Sequence, residues 1–190
     1  KVGPYTSGND VDYGPVVTSA AKENILRLVQ TGVDQGAELV VDGRNFNLQG
    51  YEDGFFVGPH LFDRVTPDME IYQKEIFGPV LSTVRAASYE EALKLAMDHE
   101  MGNGTAIFTR DGDAARDFAS RVNVGMIGIN VPIPVPLAYH TFGGWKKSVF
   151  GDLNQHGPDA FKFSTRTKTV TARWPSGIKE GGEFSIPVME

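Results

Sequence analysis

The apolar residues near the start of the chain recur at helical spacing. A helix is predicted to begin at Thr18 or Ser19, because a hydroxyl side chain there can accept a hydrogen bond from the first free amides. Gly36 is the expected stop, since glycine readily adopts the left-handed conformation of a C-terminal cap. One apolar stripe should face the core, formed by Ile25, Leu26, Val29 and Val33.

Shorter apolar runs surround this helix. Residues 1–17 are rich in glycine, proline, aspartate and tyrosine and are predicted to form an irregular arm. Residues 38–41 are predicted to form a short buried strand, followed by a polar loop at 44–54. Apolar residues at 55–57 and 61–62 predict further strand.

Strands and helices alternate clearly after Pro79. The predicted strands are Val80–Arg85, Thr105–Thr109 and Val124–Asn130. Ser88 and Asp111 are in position to cap the two connecting helices. Their inner faces should consist of Leu93, Ala96 and Met97 in one helix and of Ala115, Phe118 and Val122 in the other. Short connections between alternating elements imply parallel pairing, so the sequence predicts an α/β layer fold.

The pattern changes after the third strand of this series. Residues 132–136 contain three prolines, which cannot donate ladder hydrogen bonds, so they predict an extended loop leaving the sheet. Such loops at strand ends commonly form ligand sites. Phe163–Trp174 alternates again and predicts one strand that stands apart from the sheet. A strand without a neighbour in its own chain is expected to pair with another subunit.

Composition excludes several kinds of function. The formal net charge of −6 argues against nucleic acid and anionic membranes as partners. Without a membrane-spanning run or a signal peptide pattern, a cytoplasmic setting is expected. The chain contains no cysteine, so a thiol nucleophile and thiolate metal sites are excluded within it. Its four histidines are widely separated, and no metal site is predicted.

The stretch QKEIFGPVL, residues 73–81, carries the candidate chemistry. Glu75 directly precedes an apolar residue, the aromatic Phe77, a flexible Gly78 and a φ-locked Pro79. This combination is able to hold one carboxylate and one ring in a fixed relation. The plainer interpretation is an exposed glutamate at the start of a strand.

Five stretches, in matching order, resemble sequence motifs of the aldehyde dehydrogenase superfamily. They are Glu75–Val80, Ala106–Arg110, Gly125–Asn130, the loop Phe142–Ser148 and Lys168–Val170. The resemblance implies a three-layer αβα catalytic domain with a mostly parallel sheet, plus a terminal oligomerisation strand. It also implies that residues 1–151 are a catalytic-domain segment, 152–175 a return loop and oligomerisation strand, and 176–190 a C-terminal tail.

The resemblance also implies where the chemistry lies. The family oxidises aldehydes through a cysteine thioester, with hydride transfer to NAD, and that cysteine precedes the region matched here. No catalytic residue is therefore expected in this chain, which we interpret as a segment of a longer protein; a natural short homologue is the alternative. By resemblance, Glu75 binds the nicotinamide ribose hydroxyls, Phe77 flanks the nicotinamide, and Phe142 forms a wall of the substrate pocket.

Two further stretches narrow the resemblance. Gly102–Thr109 and Asn130–Leu137 resemble the methylmalonate-semialdehyde branch of the family, whose members transfer the acyl group to coenzyme A. The expected reaction is therefore NAD-dependent oxidation of a semialdehyde to an acyl-coenzyme A by a homodimer or homotetramer. Lys146 and Lys147 are candidates for a coenzyme A phosphate, or else belong to a solvated loop. A hydrolytic aldehyde dehydrogenase and a non-catalytic oligomerisation module are the alternatives.

Overall fold

A computed structural model describes residues 1–172 and 174 of the chain. One 3₁₀ helix, Tyr5–Asp10, comes before the first α-helix, and another, Gly157–Asp159, leads directly into the last one. The α-helices are α1 (Ser19–Asp34), α2 (Glu70–Gln73), α3 (Tyr89–Asp98), α4 (Gly112–Arg121) and α5 (Ala160–Ser164). The strands are β1 (Glu38–Val41), β2 (His60–Asp63), β3 (Val80–Ser82), β4 (Met101–Gly102), β5 (Gly104–Ile107), β6 (Met126–Ile129) and β7 (Trp145–Lys146).

The predicted first helix is confirmed as α1. The Thr18 hydroxyl accepts a hydrogen bond from the amide of Ala21 at 3.1 Å, and Gly36 has the left-handed φ of +92°. The buried face differs slightly from the predicted stripe, because Leu28 is fully buried while Leu26 and Val33 are only partly covered.

The first half of the chain forms one core around a three-stranded sheet. β1 pairs antiparallel with β2, and β2 pairs in parallel with β3. The cluster packed beneath α1 comprises Ile25, Leu28, Val29, Ala37, Val57, Phe62, Val65, Met69, Ile71 and Ile76. The prediction that residues 38–41 are buried is wrong, since Val40 and Val41 are exposed on the edge strand. Residues 55–57 form no strand; Phe56 and Val57 are instead buried from a loop.

The second half forms a separate core between α3 and α4. Ser88 and Asp111 cap these helices as predicted, through hydrogen bonds to the amides of Glu91 and of Asp113 and Ala114. β5 and β6 run parallel over their whole length, which confirms the predicted pairing. The buried residues are Leu93, Phe118, Val122 and Val124. Met97 was predicted to face the core but is exposed, because Leu93 and Ala96 occupy the side of α3 that meets the cluster.

The α/β class predicted from the alternation of elements is confirmed, but the described strands form three small sheets. Among them, β3 pairs only with β2, and β5 pairs only with β6. A short antiparallel pair joins β4 to β7, with Gly102 opposite Trp145. The predicted strands 80–85 and 105–109 therefore do not lie side by side. β3 ends at Ser82, and the next amide, that of Thr83, still bonds to the carbonyl of Phe62 on β2.

The predicted strand Phe163–Trp174 is wrong at its start. Phe163 and Ser164 belong to α5, which continues directly from a 3₁₀ turn with Pro158 in its first turn. Residues 165–172 take part in no strand pairing with the described part of the chain. Residues 173 and 175, and the predicted tail 176–190, lie outside the described residues. Within residues 1–172 and 174, no helix is long and apolar enough to span a membrane.

Candidate functional site

The stretch that carries Glu75 forms a tight turn between α2 and β3. Ile76 is buried in the first core, whereas Glu75 and Phe77 on either side of it are exposed. The Phe77 side chain is 77% exposed. In the described part of the chain, Glu75 takes part in no ion pair. The turn therefore presents one carboxylate and one aromatic ring outward from a buried attachment point.

The backbone of this turn is held in an unusual conformation. Phe77 has a φ of +58°, in the left-handed region that residues with a β-carbon seldom adopt, at a cost of roughly 1–2 kcal/mol. A β-carbon added to Gly78 would lie 2.6 Å from Cδ1 of Ile25, so the absence of a side chain lets the turn pack against α1. The carbonyl of Pro79 accepts a hydrogen bond from the amide of His60 at 2.9 Å. Strained backbone that the surroundings hold in place is a common feature of functional sites.

A cleft of about 510 Å³ opens beside Glu75. Its lining includes Glu75, Lys74, Asn103 and Ser148. Phe77 is not among the residues that line this cleft, so the structure brings only the carboxylate of the predicted pair into it. An open cleft with a carboxylate, an amide and a hydroxyl has the hydrogen-bonding groups that suit a polar ligand with hydroxyls.

Phe142 lies in a neighbouring pocket of about 330 Å³. Its ring is half-buried and stacks on His156, with ring centroids 3.9 Å apart and planes 22° from parallel. Asn103 and Ser148 line this pocket as well as the Glu75 cleft. The structure therefore brings the two predicted sites, Glu75 and Phe142, to either side of the same two polar residues.

The loop that carries Phe142 depends on its two glycines. A β-carbon on Gly143 would lie 1.5 Å from Oδ1 of Asn154, and one on Gly144 would lie 2.6 Å from Cβ of Ser148. Both positions therefore allow the loop to fold closely on itself. This close packing sets the shape of the pocket around Phe142.

The sequence makes Lys146 a candidate for binding a phosphate, but its ammonium group is already hydrogen-bonded within the protein. Its Nζ donates hydrogen bonds to the carbonyls of Ala96, Met97 and His99, at 3.3, 2.8 and 2.9 Å. Lys147 forms an ion pair with Glu100. Lys146 is therefore neither a free phosphate ligand nor part of a solvated loop, because its ammonium group binds the C-terminal end of α3.

Sequence reasoning identified Asn103 and Ser148 only as members of motifs and gave them no role. The side chain of Ser148 accepts a hydrogen bond from the amide of Gly102 at 3.0 Å, which fixes its position in the cleft wall. Their motifs, Gly-Asn-Gly and Phe-Gly-Gly-Trp-Lys-Lys-Ser, were the available signal. What the sequence did not reveal was that the two motifs meet.

The histidines do not form a second site with carboxylates in the described part of the chain. Within the described residues, no cluster of histidine and carboxylate side chains is suited to a metal ion. His140 is exposed. His60 is only 3% exposed, and its ring nitrogens have no hydrogen-bond partner in the described part of the chain. Burial lowers the pKa of His60, so its neutral form is favoured.

Comparison with known proteins gives a consistent family. Residues 1–170 match the aldehyde dehydrogenase family. The chain is 57% identical over 188 residues to a malonate-semialdehyde dehydrogenase of Pseudomonas aeruginosa, an alignment that covers 98% of this chain and 38% of that protein. It is 52% identical over 165 residues to the mitochondrial, acylating methylmalonate-semialdehyde dehydrogenase of Arabidopsis thaliana, covering 87% of this chain and 27% of that protein.

A solved structure agrees with the sequence matches. The chain superposes with a TM-score of 0.87 and 69% identity on a Sinorhizobium meliloti protein described as a methylmalonate-semialdehyde dehydrogenase, crystallised with NAD. The match covers 95% of this chain and 36% of that one. The chain thus spans less than two fifths of the length of each of these relatives.

Proposed function

Because the chain belongs to the aldehyde dehydrogenase family, we propose that it is the catalytic-domain segment of an NAD-dependent semialdehyde dehydrogenase that acylates coenzyme A. The substrate would be a malonate or methylmalonate semialdehyde, as the names of its relatives suggest. One observation carries the proposal: the Glu75 cleft and the Phe142 pocket meet at Asn103 and Ser148. A cofactor in the first and an aldehyde in the second would be neighbours.

Each residue has a distinct role in this proposal. The carboxylate of Glu75 accepts hydrogen bonds from a ribose diol, for which it is free of ion pairs within the described residues. Phe77 lies outside the lining of the Glu75 cleft. By resemblance to the family, its exposed ring on the strained turn would flank the nicotinamide and limit rotation of that group. Phe142, stacked on His156, gives the substrate pocket an apolar wall. Bound NAD supplies the hydride acceptor.

The thiol must come from elsewhere in the protein. None of the 190 residues is a cysteine, and the family's thioester chemistry needs one. This segment therefore binds and orients the reactants, and the nucleophile belongs to another part of the polypeptide. We expect no dehydrogenase activity from these residues alone.

The proposal also includes coenzyme A as the acceptor of the acyl group. The motifs at 102–109 and 130–137 and the acylating relative in Arabidopsis support it. Lys146 makes no contribution, because three backbone carbonyls already surround its ammonium group. Hydrolysis of the thioester by water remains the alternative outcome. A homodimer or homotetramer and a cytoplasmic setting stay predictions from the sequence.

The test uses the complete protein that carries this segment. Incubation with NAD and malonate or methylmalonate semialdehyde should produce NADH, and mass spectrometry should detect an acyl-coenzyme A only when coenzyme A is present. Free acid as the product, with coenzyme A present, would replace the acylating function by the hydrolytic one. Absence of NADH with both semialdehydes would overturn the proposal.

Glu75→Gln in the complete protein tests the cofactor site. Loss of a charge-assisted hydrogen bond should lower kcat/KM for NAD by about 10- to 100-fold, equivalent to about 1.5–3 kcal/mol. Glu23→Gln on the exposed face of α1 is the matched control and should leave kcat/KM unchanged. An unchanged kcat/KM in Glu75→Gln would mean that Glu75 is only an exposed residue before a strand.

A further inference from the structure

The C-terminal turn of α3, residues 95–99, receives side chains from both halves of the site. The last carbonyls of a helix have no partners within it and need donors from elsewhere. The carbonyl of Leu95, which accepts the amide of His99 at 3.3 Å, also accepts a hydrogen bond from the hydroxyl of Tyr72 at 3.3 Å. From another direction, Nζ of Lys146 donates to the carbonyls of Ala96, Met97 and His99.

Tyr72 connects this turn to the Glu75 side of the cleft. It lies on α2, three residues before Glu75. Its ring packs edge-on against His99, with centroids 5.2 Å apart. The amide of Met101 donates to Nδ1 of His99 at 3.1 Å, so Nε2 carries the proton and donates to the carbonyl of Tyr72 at 3.3 Å. Burial raises the pKa of Tyr72, which keeps its hydroxyl a donor.

Lys146 connects the same turn to the Phe142 side. It lies four residues after Phe142, on β7, with a left-handed φ of +53°. A cation at a helix C-terminus is favoured by the partial negative charge of the free carbonyls. The hydrogen bond from the amide of Gly102 to the Ser148 hydroxyl is a second attachment of the same loop.

We propose that the C-terminal turn of α3 is the anchor that sets the distance between the cofactor side and the substrate side of the site. Tyr72 and Lys146 are its positioning residues, acting on Glu75 and Phe142 respectively. No strand pairing joins the two cores in the described part of the chain. The contacts of Tyr72 with Leu95 and His99 connect them, and the hydrogen bonds of Lys146 attach the Phe142 loop to the same turn. The inference rests on the proposed function, because hydride transfer needs both reactants in a narrow geometry.

The kinetic test compares two variants of the complete protein with a matched control. Tyr72→Phe removes the hydroxyl that reaches Leu95, and Lys146→Met removes the ammonium group while keeping the chain length. Each should lower kcat by about 10-fold or more, because small displacements weaken a positioned reaction. KM for NAD and for the semialdehyde should change less than about twofold, since each half-site keeps its own residues.

Tyr89→Phe is the control. Its hydroxyl donates to Asp117 within the second core at 2.7 Å, so the change removes a similar hydrogen bond without touching the link between the cores. With the semialdehyde deuterated at its aldehyde carbon, the isotope effect on kcat should rise in Tyr72→Phe and Lys146→Met and stay at the wild-type value in Tyr89→Phe. Lys146→Arg, which keeps donors at this position, should recover part of the lost kcat.

Hydrogen exchange measures the same coupling in the absence of turnover. Lys146→Met should speed amide exchange in residues 142–149. It should also speed exchange in residues 70–77, on the other side of the α3 turn, whereas Tyr89→Phe should leave both segments unchanged. If both test variants match Tyr89→Phe in kcat and in exchange, the anchor proposal is wrong. A wild-type protein that forms no NADH would overturn the proposed function instead, and the exchange result would still decide the anchor.

Discussion

Among single residues, the backbone conformations of Phe77 and its neighbour Gly78 differ from those their residue types favour. The left-handed backbone that glycine tolerates best belongs to Phe77, with its φ of +58°. Gly78 is needed for another reason, because its missing side chain makes room for Ile25 of α1. The turn therefore keeps its strained aromatic residue only while the glycine packs tightly against the helix.

Gly78→Ala should lower the stability of the protein by about 1–3 kcal/mol, because the new methyl group would overlap the Ile25 side chain. Ile25→Val in the same protein should restore part of the loss, since it removes the closest atom, Cδ1. Gly112→Ala is the control, because its β-carbon would approach only the flexible end of Arg116, at 3.4 Å. The melting temperature by circular dichroism measures each change, and equal losses in the two glycine variants would contradict the packing argument.

His60 gives the protein a pH dependence of known sign. The unfolded chain takes up a proton on this ring below the ordinary pKa of about 6.5, whereas burial keeps the folded ring neutral to a lower pH. Because the unfolded state then binds more protons, stability is present above pH 6.5 and falls as the pH drops below it. Among the charged neighbours, Asp42 opposes the lowering of this pKa and Arg44 favours it.

The free energy of unfolding should therefore decrease between pH 7 and pH 5, by at most about 1.4 kcal/mol per pH unit from this residue. His60→Leu should flatten the dependence, because leucine does not titrate. His140→Gln, at an exposed histidine, should keep the wild-type slope. A wild-type slope in His60→Leu would show that His60 does not cause the dependence.

At the scale of elements, the helices follow local rules that the sequence displays. α3 and α4 begin at their predicted caps, Ser88 and Asp111, and the parallel pairing of β5 with β6 follows from the short connection through α4. The strand predicted at 163–174 is an exception to these local rules. Only Phe163 and Ser164 of it lie in α5, too few residues for alternation to distinguish a strand from a helix, and the preceding 3₁₀ turn favours the helix.

Asp111→Ala should destabilise the protein by about 1 kcal/mol, because the amides of Asp113 and Ala114 lose their acceptor at the start of α4. Asp111→Asn should retain most of the stability, since its side-chain oxygen can still accept the hydrogen bonds. Chemical unfolding of the three proteins makes the comparison. Equal losses for alanine and asparagine would indicate that charge matters more than the cap.

In the molecule as a whole, residues 165–172 belong to the segment for which the sequence predicts pairing with another subunit. They are exposed, Thr165 is extended, and the segment pairs with no described strand. Unpaired extended backbone is a common site of association between subunits. Pairing with another subunit, which the sequence predicts, remains a prediction.

Deleting residues 165–190 from the complete protein should give a smaller assembly in light scattering, because the segment would no longer bridge subunits. The circular dichroism spectrum should keep its helical signal, since neither core includes these residues. Replacement of Thr165, Thr167 and Thr169 by serine is the control and should preserve the assembly. An unchanged mass after deletion would exclude this segment from the interface.

Features that depend on neighbours a few residues away could be predicted from the sequence. Caps lie within four residues of the amides they satisfy, and the apolar spacing of α1 and α4 decides which side is buried. The motif at 75–80 likewise marked Glu75 as a candidate. These local hydrogen bonds and periodicities can be identified without knowing the path of the chain.

Contacts between distant segments could be identified only in the folded chain. Lys146 caps a helix whose carbonyl at Ala96 lies 50 residues earlier, and Asn103 and Ser148 join two sites that the sequence described separately. The edge position of β1 and the separation of β3 from β5 also lay beyond local patterns. Such contacts depend on how the whole chain folds back on itself, because the energy of each one is realised only when remote residues are already in place.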